Sequence, residues 1–288
     1  MLIMSAIKLL LVILWIWMSR HREFRRQGYL NAFNNFTDKL SYTNINMKIL
    51  RILSLLVAMS ILFTACKKDD QDNCIQGNGD LTIDTRDIGY FNMVYAVGSF
   101  DISFSQTTNT RIDLFGDSNV FPVIQTTIDD NLLFIRSVKD QCYSTQNNIE
   151  VTLTAPEFRG VTMNGAGKIE AHNINNYDLY YETDGSVNIN SSFDVEYFRA
   201  ALYGTGNASF VGSADQAELS INGTGSILAS LLEVDQCEII ITGVGDVRIH
   251  VNEILDVTIT GSGNVYYTGD PGTINTNITG TGQVIKEG

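Results

Sequence analysis

The sequence predicts an all-β protein: a right-handed parallel β-solenoid with about 19 residues per coil, preceded by a signal or leader segment. Three observations carry this expectation. A Gly-x-Gly pair recurs at a near-constant step, apolar columns keep phase with it, and the chain holds 24 glycines but 3 prolines, so the glycines are not linker. With 44% hydrophobic and 18% charged residues the 288-residue chain is neither disordered nor collagen-like. Its net charge of −13 argues against nucleic acid as a partner.

Residues 1–65 are the basic part. They hold Lys8, Arg20, Arg22, Arg25, Arg26, Lys39, Lys48 and Arg51 against only Glu23 and Asp38, so the remainder is more acidic than the whole. Two apolar runs lie here, 9–18 and 49–65. The second follows Met47, Lys48 and Arg51 and ends on Thr64-Ala65 before Cys66, as a secretory signal does. It resembles a bacterial lipoprotein signal whose lipobox lipidates Cys66, with Phe63 where leucine is usual. That makes 47–65 the signal peptide and 66–79 a tether, anchored to the lipid bilayer through acylated Cys66. A membrane-spanning helix ending on a cysteine is the alternative. Residues 1–46 are then either an untranslated upstream extension or a membrane segment with its arginines held in the cytoplasm. Lys67-Lys68-Asp69-Asp70 resembles the surface-export signal of some Gram-negative lipoproteins. It favours the outside of the outer membrane over its periplasmic face.

Residues 80–158 read as β-rich but irregular, with a turn at Asp129-Asp130-Asn131 and a seam at Pro156. Gly79, Gly98 and Gly116 lie 19 and 18 apart, so this part is either divergent coils or a cap over the first rung.

Residues 159–286 carry the regular repeat. The pairs are Gly165/Gly167, Gly204/Gly206, Gly223/Gly225, Gly243/Gly245, Gly261/Gly263 and Gly280/Gly282, with a degenerate copy placing Gly185 in the second position. Steps between second glycines are 18, 21, 19, 20, 18 and 19. Four residues before them lie Met163, Tyr181, Leu202, Ile221, Ile241, Ile259 and Ile278. Two after lie Ile169, Val187, Ala208, Ile227, Val247, Val265 and Val284, while residues between are mostly polar. Alternation with a fixed step predicts short strands joined at glycine turns, whose apolar faces are buried only by stacking. Glycine at the turn admits positive φ and close backbone approach. An antiparallel meander would need a hairpin every 8–12 residues and would not align columns at this step.

The Gly-x-Gly turns, the phrase Asn164-Gly-Ala-Gly167, the stretch Phe100-Asp-Ile-Ser-Phe-Ser-Gln106 and Asp130-Asn131-Leu132-Leu133-Phe134-Ile135 together resemble the putative auto-transporter adhesin, head GIN domain family. The resemblance covers residues 80 to 285. It implies a secreted or lipid-anchored β-solenoid domain of undetermined function and brings no catalytic residues or cofactors.

Little else points to chemistry. His172 and His250 lack partners at metal-ligand spacing and read as strand residues. Cys237 falls in an inward column beside Ala217 and Leu255; Cys74 and Cys142 pair in an oxidising compartment or stay free. The Gly-x-Gly runs precede no lysine or helix that would make a phosphate loop. Seven positions before the second glycines lie Asp178, Arg199, Glu218, Glu238 and Asp256. Stacked outward, Arg199 would neutralise Asp178 and Glu218 and leave Glu238 and Asp256 uncompensated. That pair is a weak candidate for a cation site or a glycosidase acid and nucleophile, against a solvated strand face.

The expectation is therefore a non-enzymatic, lipid-anchored cell-envelope protein that binds a surface glycan or protein through polar faces carrying Tyr203 and Tyr266. A polysaccharide-active lyase or hydrolase and a self-associating envelope protein are the alternatives; oligomeric state is left open.

Overall fold

The computed structural model describes residues 74–139 and 141–288. The leader, Cys66 and the tether before Cys74 lie outside the described residues. Asp70–Gly288 form one compact unit, and no helix among the described residues is long and apolar enough to cross a membrane.

The regular part is built from β9 (Gly160–Gly204), β10 (Ala208–Ile221), β11 (Ile227–Ile241) and β12 (Val247–Ile259), then β13 (Val265–Thr268), β14 (Thr273–Ile278) and β15 (Val284–Lys286). Strands run on from one Gly-x-Gly to the next and pair in parallel with the following repeat. Leu202, Ile221, Ile241, Ile259 and Ile278 oppose one another in succession. The first four are buried, because alternation sends every second side chain to one face and a whole-repeat register keeps that face common to all strands. Ala200, Leu219, Ile239 and Val257 form a second buried column.

The degenerate copy stacks differently from the sequence alignment. A β-carbon on Gly204 would meet the Gly185 carbonyl oxygen at 2.0 Å, and one on Gly185 would meet that of Gly165 at 2.2 Å. Gly185 is therefore the first glycine of its pair. Val187 stands in place of the second, since its carbonyl oxygen faces Gly206, 1.7 Å from where a β-carbon would be. The register moves by two residues, an even number, so the inward side chains stay inward.

The expectation that every one of these glycines is a turn needs correction. Gly165, Gly167, Gly185 and Gly204 lie within β9, as strand residues. The chain bends instead at Gly223, Gly243, Gly261 and Gly280, the first glycines of the later pairs. The second glycines Gly206, Gly225, Gly245, Gly263 and Gly282 are buried and lie past the bend, outside both strands and turns. Positive φ occurs in the pairs only at Gly165, Gly167 and Gly185, so Gly206 and Gly282 do not use the left-handed region either. Close approach, rather than backbone conformation, dictates most of these positions. A β-carbon on Gly245 would lie 1.6 Å from the Gly225 carbonyl oxygen; Gly263 repeats the clash on Gly245, and Gly282 on Gly263, both at 2.0 Å. The physical reason is that each buried second glycine lies directly against the backbone of the preceding repeat, which leaves no room for a side chain.

The expected right-handed parallel β-solenoid is overturned, because the strands of the amino-terminal part pair antiparallel as well as parallel. That part consists of β1 (Ile75–Gln76), β2 (Leu81–Arg86), β3 (Met93–Gln106), β4 (Arg111–Asp117), a 3-10 turn at Phe121–Val123, β5 (Ile124–Asp129), β6 (Leu132–Ser137), β7 (Tyr143–Ser144) and β8 (Ile149–Ala155). β2–β4, β4–β8 and β5–β6 pair antiparallel, so the all-β class holds but the main sheet is mixed. The physical reason for β5–β6 is a two-residue hairpin: Asp130 and Asn131 adopt φ 47 and 64, which reverses the chain directly and leaves no room for a parallel crossover.

β3 joins the two parts. It pairs in parallel with β6, β8 and β9, and the Gly98 carbonyl lies where a β-carbon on Gly165 would be. Gly98 thus belongs to the glycine column. Gly79 and Gly116 do not, since no carbonyl of another glycine faces either. Phe104 stacks on Phe158 with ring centroids 3.8 Å apart, continuing the core across Pro156. Cys74 and Cys142 form a disulfide across 68 residues of sequence, beside the small β1–β7 pairing. Cys237 is a buried free thiol.

Candidate functional site

The outward face of β9–β12 carries the row anticipated from sequence, with one member replaced. Arg199, Glu218, Glu238 and Asp256 oppose one another in successive strands, and Asn275 of β14 follows. Asp178 is outside this row. The two-residue shift at Gly185 puts Tyr180 one repeat before Arg199, whose guanidinium carbon lies 5.7 Å from that ring's centroid. Asp178 instead pairs with Arg159, whose Nε donates to it at 2.8 Å. That hydrogen bond holds the Arg159 guanidinium above its usual pKa, against the burial that opposes it. Arg159 lies 19 residues before Asp178, so the repeat itself was the signal that could have found it.

Arg199 reaches Glu218 at 3.5 Å, with both side chains more than half exposed; a contact of this kind stabilises little. Glu238 and Asp256 have no cationic partner among the described ion pairs, and Asp256 accepts a hydrogen bond from Asn275 Nδ2 at 2.7 Å. Among the described residues no three His, Cys, Asp or Glu side chains converge as metal ligands do. Calcium requires six to eight oxygens, so Glu238 and Asp256 would supply only part of such a shell.

Behind the row, Cys237 lies between Ala217 and Leu255. Burial, then the charges of Glu238 and Asp256, push its thiol pKa up. His250 bonds Thr268 Oγ1 at 2.9 Å and Asn252 Oδ1 at 3.2 Å, and His172 reaches only Ser192 at 3.5 Å.

A groove of about 490 Å³ runs along this row, lined by Tyr180, Tyr197, Arg199, Glu218, Glu238 and Asp256 among others. Tyr197 opposes Gln216, and Gln216 opposes Gln236, giving a row of aromatic and amide groups beside the charged one. The Tyr197 ring lies 5.1 Å from Tyr177, whose hydroxyl pKa is raised chiefly by its hydrogen bond with Tyr197. Tyr177 is 60% exposed and Tyr197 41%. Sequence reading named Tyr203 and Tyr266 instead of these two. Of its own choices, Tyr203 is exposed, whereas Tyr266 lies under Arg248 at 4.2 Å and is only partly accessible.

With this geometry in hand, comparisons place the chain. The family model described as putative auto-transporter adhesin, head GIN domain, matches residues 90–271. A putative adhesin from Bacteroides fragilis is 25% identical with a TM-score of 0.67, over 74% of this chain and 100% of its own. A putative lipid binding protein from Parabacteroides distasonis (21% identity, TM-score 0.61, 74% and 99%) shares the fold. So does a putative adhesin from Parabacteroides merdae, at 23% identity and TM-score 0.56 over 75% and 100%. Comparison with curated proteins finds no match. A match that spans most of the chain, on the strands that carry both the glycine columns and the groove, makes this protein a member of the putative auto-transporter adhesin, head GIN domain family.

Proposed function

We propose that the protein is a non-enzymatic binding module of the cell envelope, anchored by acylated Cys66, displayed on the outer membrane, and engaging surface glycan through the β9–β12 groove. The observation that carries the glycan reading is the repeated lining: Tyr197, Gln216 and Gln236 in one row, Arg199, Glu218, Glu238 and Asp256 in the next. Successive members of each row, a strand spacing of about 4.8 Å apart, present a ladder of donors and acceptors to a chain of hydroxyls. Exposed aromatic faces at one end suit the apolar faces of sugar rings. The unpaired Glu238 and Asp256 favour neutral or amine-bearing sugars and repel uronic acids. Family membership supports a surface role, and the Cys74–Cys142 disulfide agrees with an oxidising compartment.

The test is a glycan array probed with the 70–288 unit. Retention of neutral or amino glycans, lost in Tyr197→Ala and in Glu238→Gln, is the expected result. Retention that survives both substitutions, or no retained glycan at all, rejects this groove as the site. Radiolabelled palmitate incorporation that disappears in Cys66→Ala checks the anchor separately.

A further inference from the structure

We infer that β14 is a self-pairing edge, through which two copies of this chain join end to end about a two-fold axis passing through Thr276. No residue of β14 lines the groove, so this holds or fails independently of the glycan reading.

Thr273–Ile278 (TINTNI) pairs with β12 on one side and with no described strand on the other. Its inward-phase residues continue the buried columns: Ile274 opposes Leu255, Thr276 opposes Val257 and Ile278 opposes Ile259. Leu255, Val257 and Ile259 are at most 3% exposed, whereas Ile274 and Ile278 are 40% and 41% exposed. Among the described residues, therefore, nothing covers the apolar interior at this strand.

The edge also lacks the features that normally blunt such a terminus. It holds no charge, proline or glycine, although the chain as a whole is strongly acidic. The sheet order ends at β15 (VIK), which carries Lys286, and at β2 (LTIDTR), which carries Asp84 and Arg86 in a 2.8 Å ion pair; β14 lies off that path and is uncharged. A charged edge repels pairing and an uncharged one accepts it.

The occupant that fits is the same strand from a second copy. The Thr279 N–H points to Ile259 O on β12. By alternation, the N–H and C=O of Ile274, Thr276 and Ile278 point to the open edge. An antiparallel partner in the register Ile274 to Ile278, Thr276 to Thr276 and Ile278 to Ile274 exchanges backbone hydrogen bonds at all three pairs. Facing residues in an antiparallel pair lie on one side of the sheet, so the same register brings isoleucine against isoleucine and makes the two interiors continuous. Neither strand brings a charge to repel the other. Because the contact is isologous, it closes at a dimer.

The experiment uses the full chain in membranes with Thr276→Cys. Opposed cysteines across a hydrogen-bonded pair sit about 5.5 Å apart between α-carbons, within disulfide range. A dimer band on a non-reducing gel, absent for Thr258→Cys on β12, which is opposed by Asn277 rather than by the open edge, is expected. Adding Ile274→Lys and Ile278→Lys should abolish the band while the melting temperature of the 70–288 unit stays unchanged, since both side chains are already half exposed. No band for Thr276→Cys, an equal band for Thr258→Cys, a band that survives both lysines, or a ladder of higher oligomers overturns the two-fold edge.

Discussion

Replacing Gly245 by alanine tests whether strand spacing demands the glycine columns. The new methyl would lie 1.6 Å from the Gly225 carbonyl oxygen and 2.6 Å from its carbon, both backbone atoms. An ordinary carbon–oxygen contact is about 3.3 Å, so adjacent repeats must part locally by more than an ångström. Two hydrogen bonds flank the position, Val244 N–H to Gly223 O at 2.8 Å and Ile227 N–H to Asp246 O at 2.9 Å. Losing both costs about 2 kcal/mol, and forced packing adds about 1–3 kcal/mol. The total of about 3–5 kcal/mol corresponds to a fall of about 10 °C in melting temperature for a domain of this size. Gly272 is the control. Its β-carbon would find nothing nearer than the Glu253 carbonyl oxygen at 3.9 Å, and its φ is not positive. Gly272→Ala should be neutral or raise stability by up to about 1 kcal/mol through the unfolded chain. Urea and thermal melts of the 70–288 unit followed by circular dichroism give both values. If Gly245→Ala melts within about 0.5 kcal/mol of Gly272→Ala, the steric account of the columns is wrong.

Three further outcomes follow from the same structure. Breaking the Cys74–Cys142 bond by Cys74→Ser releases a 68-residue separation and should cost about 4 kcal/mol on the loop-entropy estimate; a urea midpoint unmoved by reductant contradicts it. Glu238→Gln removes one of two like charges opposed across β11 and β12 and should leave stability unchanged or raise it by up to about 1 kcal/mol, whereas a loss above that in a chelated buffer would expose an unrecognised partner. Burial raises the Asp113 carboxyl pKa, but hydrogen bonds from Thr85 and Arg111 outweigh it, so the folded value is lowered. Its contribution is present above the unfolded value near pH 3.9 and lost as pH falls through the folded one; Asp113→Asn should flatten the acid limb of stability, and an unchanged limb between about pH 5 and 2 would refute this.

Much was legible without coordinates. Ile221, Ile241 and Ile259 could be put in line from spacing alone, because one residue in two faces the core and the period brings back the same face. Cys237 could be placed inside by the same counting. The outward row from Arg199 to Asp256 followed, since register is a single number once it is known anywhere in the stack. Spacing failed at Gly185, where one glycine could fill either position of its pair. Choosing the second displaced Asp178 into a row it does not occupy.

The sequence by itself determined the all-β class and the columns of β10–β12, because there each residue's neighbour is set by a local period. Tertiary structure alone decided the mixed sheet of β2–β8, the Arg159–Asp178 pair, the Cys74–Cys142 bond and the uncovered edge at β14. Those depend on which distant segments meet. The hairpin at Asp130-Asn131 could be suspected from its residues, but the strand that β4 pairs with could not. Contacts between segments without a shared period are chosen by total burial and hydrogen bonding across the unit, and no window of sequence contains that sum.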